Sequence, residues 1–221
     1  MQSLQQPSVL VLGHSFVWRL DKFITESSLS CVTPNFQLPL SPKVQFSGIG
    51  GRTVTKLQKF DLPAVNRFQP TVLILEIGSN DLCIPNCDAN DLATTIFHLI
   101  QQLHFDYHVD HVIVSQIMPR CSPPAVTPPY NTRVRQVNDT LYYLLKRAPF
   151  ASFWYHFALL RLGNKVFLPD GVHLNQMGNH LLYHSYQKAL FRYFSRRWRS
   201  RLKSKSLLRY RPSCSYRGRY K

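Results

Sequence analysis

The stretch "SVLVLGHS" (8–15) carries four consecutive apolar residues, Val9 to Leu12, and then breaks at Gly13, His14 and Ser15. A nearly unbroken apolar run of this length reads as a strand covered on both faces, and an amphipathic stretch follows it at once. Ser15 is therefore either the cap of a helix or a hydroxyl delivered to the end of a strand for chemistry. The same form recurs in "TVLILEIG" (71–78) and "HVIVSQI" (111–117), while "KVQFSG" (43–48) and "FASFWYHF" (150–157) complete five strand candidates. Helical spacing fills the gaps. Leu92, Ile96, Leu99 and Leu103 share one face behind Asp88 or Asn90 as caps, and Val134, Val137, Leu141 and Leu144 do the same in the next segment. Strand and helix alternate without an internal repeat, which predicts an α/β fold with a parallel sheet between two layers of helices. The Pro-rich segment "MPRCSPPAVTPPY" (118–130) reads as a long loop leaving the fourth strand.

The chain has 221 residues, 44% of them hydrophobic and 13% aromatic, as expected of one globular domain. No apolar run approaches the roughly eighteen residues of a membrane span, and "MQSLQQPSVLVLG" lacks the basic flank and cleavage site of a signal peptide. An intracellular, cytoplasmic or nuclear location is expected. Five Cys at irregular spacings predict reduced thiols rather than a disulfide framework. The net charge of +16 is unevenly placed: residues 189–221 hold 12 of the 27 Lys and Arg and no acidic group, so the first 188 residues carry a surplus of only 4. This divides the chain into a domain over 1–196 and a basic, disordered tail over 197–221. Arg and Lys interleaved with aromatics suit a nucleic acid; the same charge suits an anionic membrane surface, or a solvated extension.

In an open parallel sheet, ligands bind beyond the carboxyl ends of the strands, where free helix N–H groups also gather. Four segments should meet there. The first is Gly13-His14-Ser15. The second is "SGIGGRT" (47–53), whose glycines let a backbone N–H approach a ligand; the third is "GSND" (78–81), which offers the Asn80 amide. The fourth, "LPDGVHLNQMGN" (168–179), separates an Asp from a His by three positions before the last helix. At that spacing Asp170 can hold one nitrogen of His173 and leave the other free to take a proton, which is the service a Ser nucleophile requires. Ser15, His173 and Asp170 would then be nucleophile, base and orienter. The Ser15 and Gly51 N–H groups and the Asn80 side chain would be oxyanion donors.

In this order the four segments resemble the four blocks of the SGNH (GDSL-type) hydrolase superfamily over roughly residues 8–190. "GHS…IGSND…PDGVHLN…GN" is also similar, more loosely, to SGNH domains encoded by some animal retroelements. The resemblance implies a flavodoxin-like three-layer α/β/α sandwich with a five-stranded parallel sheet. It further implies an esterase, lipase, thioesterase or deacetylase acting on a small-molecule or lipid ester without cofactor or metal, with Ser15, Gly51, Asn80, Asp170 and His173 in the family's roles. Two positions depart from the family. His14 stands where the first block usually has Asp, which changes the charge beside Ser15. Arg52 follows the oxyanion glycine where many relatives have Asp, and is expected either at the mouth of the site, favouring anionic substrates, or as a solvated surface group. The missing Gly-x-Ser-x-Gly argues against the other common serine-esterase fold, and no phosphate-cradling turn follows the first strand as a nucleotide-binding domain would need. The rival reading is a catalytically silent scaffold that binds nucleic acid through residues 197–221.

Cys83 and Cys87 lack the second pair that a zinc site needs. His180 and His184 lie one helical turn apart without a third ligand, and are read as surface or half-buried residues. His156 shows no partner logic in the sequence.

Overall fold

The computed structural model describes residues 6–39 and 41–209, with side chains through residue 195. Five strands form one parallel sheet: β1 (Ser8–Gly13), β2 (Lys43–Gly48), β3 (Val72–Glu76), β4 (His111–Ser115) and β5 (Ala151–Trp154), in the order β2-β1-β3-β4-β5. The register is continuous: Leu10 lies beside Leu73, Leu73 beside Val112 and Val112 beside Ala151. The central strands are covered on both faces, which is why β1 and β3 read as apolar without alternation; Val9 to Leu12 and Val72 to Leu75 have no exposed surface. β2, at an edge, is only half-buried.

One face packs against α2 (Val54–Phe60), α3 (Leu62–Phe68), α4 (Ala89–Phe105) and α5 (Tyr130–Leu145). The other carries α1 (Ser15–Glu26), α6 (Phe157–Leu162) and α7 (Gln176–Arg209). This is the α/β/α sandwich the resemblance implied. Asp88 caps α4 by accepting from the N–H groups of Asn90 and Asp91. On α5 the buried stripe closes on Leu145 rather than Leu144, because its last turn packs toward Ala148 and the start of β5.

The basic segment enters the described residues only as the backbone of α7 through Arg209; its side chains and residues 210–221 lie outside them. Among the described residues no helix is long and apolar enough to cross a membrane.

Candidate functional site

Every strand runs in the same direction, so the segments after β1, β2, β3 and β4 emerge on one edge of the sheet. Gly13 is required there because a Cβ would stand 2.0 Å from the Glu76 carbonyl oxygen of β3. The His14 N–H donates to that same oxygen at 3.1 Å. The cap of α1 is His14, not Ser15: its Nδ1 accepts the Phe16 N–H at 3.3 Å. Ser15 is thus the first helical residue, half-buried, with a backbone N–H of the kind a helix start leaves unpaired.

The segments after β2 and β3 are tied to each other. The Asn80 side-chain amide donates to the Arg52 carbonyl at 2.9 Å, and Asp81 Oδ1 accepts the Val54 N–H at 3.0 Å. An amide nitrogen carries two hydrogens, so this anchor leaves one for a ligand. Between these bonds Gly51 adopts φ 69°, with open space where a side chain would point. The Arg52 side chain, expected at the mouth of the site or in water, is not a solvated group. Its Nε and Nη2 grip the two oxygens of Asp61, each at 2.8 Å, and its guanidinium lies over the Phe60 ring. Asp61 is buried at the junction of α2 and α3, and a forked guanidinium is what a buried carboxylate there needs.

The segment before α7 folds on itself. Asp170 Oδ1 accepts the N–H groups of Val172 and His173, each at 2.9 Å, and Oδ2 meets His173 Nδ1 at 2.7 Å. The His173 N–H, the His173 ring and the Val172 N–H together hold the Asp170 carboxyl well below the usual carboxylate range. Because Asp170 stays ionised it can only accept, so the hydrogen of this contact sits on His173 Nδ1 and Nε2 is the ring nitrogen left outside the pair. The turn is fixed from outside as well: the Cys121 N–H donates to the Gly171 carbonyl at 2.8 Å, so the Pro-rich loop borders the site. The structure therefore joins Asp170 to His173, and Asn80 to the Gly51-Arg52 turn. Among the described residues it places no hydrogen bond between Ser15 and His173.

Two features were not read from the sequence. Arg120 of the Pro-rich loop bonds the Ser79 hydroxyl at 3.1 Å and lies over the Tyr130 ring, a fixed cation beside "GSND". Beneath His14 lies a buried polar cluster. Glu76 accepts from Ser115 and from Tyr186 (2.5 Å), Ser115 meets His156 Nε2 at 2.7 Å, and Ser185 links His156 Nδ1 (2.8 Å) to Trp154 Nε1 (3.0 Å). Burial pushes Glu76 up to about 7 and His156 down to about 3; His14 falls to about 3 through burial, then the charges of Arg120 and His173. The only trace of this in the sequence is one charged residue inside an apolar strand, Glu76 in "VLILE".

Along the helix from Ser15, Trp18, Arg19 and Lys22 face Leu168, Leu174 and Gln176 across an open groove of about 580 Å³. On α7, His180 and His184 have their Nε2 atoms 3.3 Å apart. Among the described residues no three potential metal ligands gather.

The sequence profile of the GDSL-like lipase/acylhydrolase family matches residues 33–181, a span that begins after Ser15. No curated protein sequence matches the chain significantly. Among solved structures, a GDSL-like lipase from Bacteroides thetaiotaomicron is similar with a TM-score of 0.64 at 15% identity, covering 86% of this chain and 90% of that one. A catalytic mutant of an acetylxylan esterase from Geobacillus stearothermophilus gives a TM-score of 0.61 at 14% identity, covering 85% and 95%. At such identities the likeness is one of fold. The profile match takes in more than half of the residues, including Gly51, Asn80, Asp170 and His173, and on that ground the chain belongs to the GDSL-like lipase/acylhydrolase family.

Proposed function

We propose that the protein is a serine ester hydrolase in which Ser15 attacks the substrate carbonyl, His173 is the general base and Asp170 orients it. The observation that carries this reading is the Asp170–His173 contact of 2.7 Å, which leaves Nε2 as the proton acceptor on the sheet edge where Ser15 begins α1. As the Ser15 oxygen bonds to the carbonyl carbon, its proton passes to His173 Nε2 and the carbonyl oxygen becomes an oxyanion. The Ser15 and Gly51 N–H groups and the free hydrogen of the Asn80 amide are its donors, each worth about 3 kcal/mol to the transition state. Collapse of the intermediate returns the His173 proton to the departing alcohol and leaves an acyl group on Ser15. Water then attacks the acyl carbon, giving its proton to His173, and collapse of the second intermediate passes that proton to the Ser15 oxygen as the acid is released.

The groove walled by Trp18, Arg19 and Lys22 supports an ester whose non-reacting part lies along α1. Nothing further in the described residues favours nucleic acid or membrane binding, which stays with residues 197–221. A fluorophosphonate that labels Ser15 in the wild type, and is lost in Ser15→Ala and His173→Ala, tests the reading. Absence of labelling, together with no turnover across acyl esters of graded length, would leave the scaffold catalytically silent.

A further inference from the structure

The His14 ring stands one residue before the proposed nucleophile, where the family's first block usually carries a carboxylate. It is 2% exposed, and so is Glu76, whose Oε1 lies 3.5 Å from His14 Nε2. The hydrogen positions in this cluster follow from its ends. Ser115 gives its one hydrogen to Glu76, so toward His156 it can only accept, and a neutral His156 carries its hydrogen on Nε2. His156 Nδ1 then holds a lone pair, and Ser185, which accepts from Trp154 Nε1, turns its own hydrogen there. Tyr186 donates to the same carboxylate oxygen. At the other end the Phe16 N–H can only donate, so His14 Nδ1 must hold a lone pair and the ring's single hydrogen sits on Nε2, buried 3.5 Å from Glu76 Oε1, where it makes no hydrogen bond and meets the carboxylate through charge alone. Both donor chains therefore point at one carboxylate.

We infer that Glu76 is a positioning residue for the nucleophile segment: it selects the His14 tautomer that caps α1 and so makes a histidine workable where relatives use an aspartate. His14 Nδ1 does for the Phe16 N–H what an aspartate oxygen would do, and it can do so only while Nε2 keeps the hydrogen that faces Glu76. The negative charge of the block is thereby moved back one layer, from position 14 to the end of β3. This role rests on Ser15 being the nucleophile only in its kinetic consequence; the coupling of positions 14 and 76 is a property of the fold.

Four proteins decide it at pH 8: wild type, His14→Asp, Glu76→Gln and the double variant. His14→Asp sets a second carboxylate beside a buried one and is expected to lower Tm by about 10 °C and kcat/KM by about 100-fold. Glu76→Gln is expected to lower kcat by about tenfold at unchanged KM, and to shift the His14 ring ¹⁵N resonances away from the single Nε2–H pattern of the wild type. The double variant is expected to recover most of both losses of His14→Asp, a coupling far outside additivity. Losses in Tm that simply add, or a His14 tautomer unchanged in Glu76→Gln, would overturn the assignment. If His14→Asp alone does not fold, recovery of a folded double variant supports the coupling, and two unfolded proteins with an unchanged tautomer in Glu76→Gln refute it. If the wild type turns over no ester, the Tm cycle and the resonances still judge the pair, so failure of the hydrolase reading stays distinct from failure of this one.

Discussion

Asn80 donates to the Arg52 carbonyl at 2.9 Å, which fastens the turn after β3 to the turn after β2 one residue past Gly51. Replacing Asn80 by Ala removes the anchor and, on the proposed mechanism, one oxyanion donor. The expected outcome is a fall in kcat of about 10² to 10³ with a smaller change in KM, measured on any ester the wild type accepts. A loss below threefold would remove Asn80 from the site.

Asp170→Asn keeps an oxygen that can accept the Val172 and His173 N–H groups but no longer fixes the His173 tautomer. Activity is expected to drop about 10³-fold or more, with Tm within a few degrees of the wild type, because the acceptor bonds that shape the turn survive. Unchanged activity would show that some other group orients the imidazole.

Arg52→Ala tests the forked pair with Asp61. It strips a buried carboxylate of its partner and is expected to cost on the order of 3 kcal/mol in denaturant unfolding, while the preference between neutral and anionic esters stays as it was. A changed charge preference at unchanged stability would return the guanidinium to the substrate.

Stability against pH follows from three buried groups. Glu76 is raised from 4.5 to about 7, so between those values the folded chain keeps a proton that the unfolded chain has released, and stability falls as pH rises through that window. His14 and His156 are lowered from 6.5 to about 3, so below 6.5 the unfolded chain takes up two protons that the folded chain refuses, and stability falls as pH drops. Two imidazoles outweigh one carboxyl below 6.5 and only the carboxyl acts just above it. A maximum near pH 6.5 is expected from thermal melts across pH 4 to 8, and Glu76→Gln should remove the decline on the alkaline side. Identical profiles for the two proteins would refute the assignment of that limb.

Gly171 adopts φ 66°, and a Cβ there would meet the Ser122 N at 2.6 Å. Gly171→Ala combines an unfavourable backbone with a contact that only the Pro-rich loop can relieve, and is expected to cost about 1–3 kcal/mol while lowering activity more than stability, read by melting and turnover in parallel. Wild-type values in both would mean that the loop yields freely.

The sheet was legible because burial on both faces removes alternation from Val9–Leu12 and Val72–Leu75, and β-strand runs of that kind have few other readings. Asp170 and His173 were legible because their geometry is local, set within four residues. Other features depend on neighbours that only the fold supplies. Arg52 is exposed or buried according to where Asp61 falls at a helix junction, and Ser115 of β4 and Tyr186 of α7 reach Glu76 from 39 and 110 positions away. Polar residues inside apolar runs mark such clusters in a sequence, but not the partners that satisfy them. The cap of α1 was left open between two readings of Ser15, and the structure gives it to neither: a side-chain ring nitrogen of His14 takes that role.

The bonds from Asp170 to Val172 and His173 close within four residues, and the Cys121 N–H holds the Gly171 carbonyl between them. A base built on this pair would be assembled by its own turn, so its proton arrangement would survive any change elsewhere in the fold that leaves the Pro-rich loop in place.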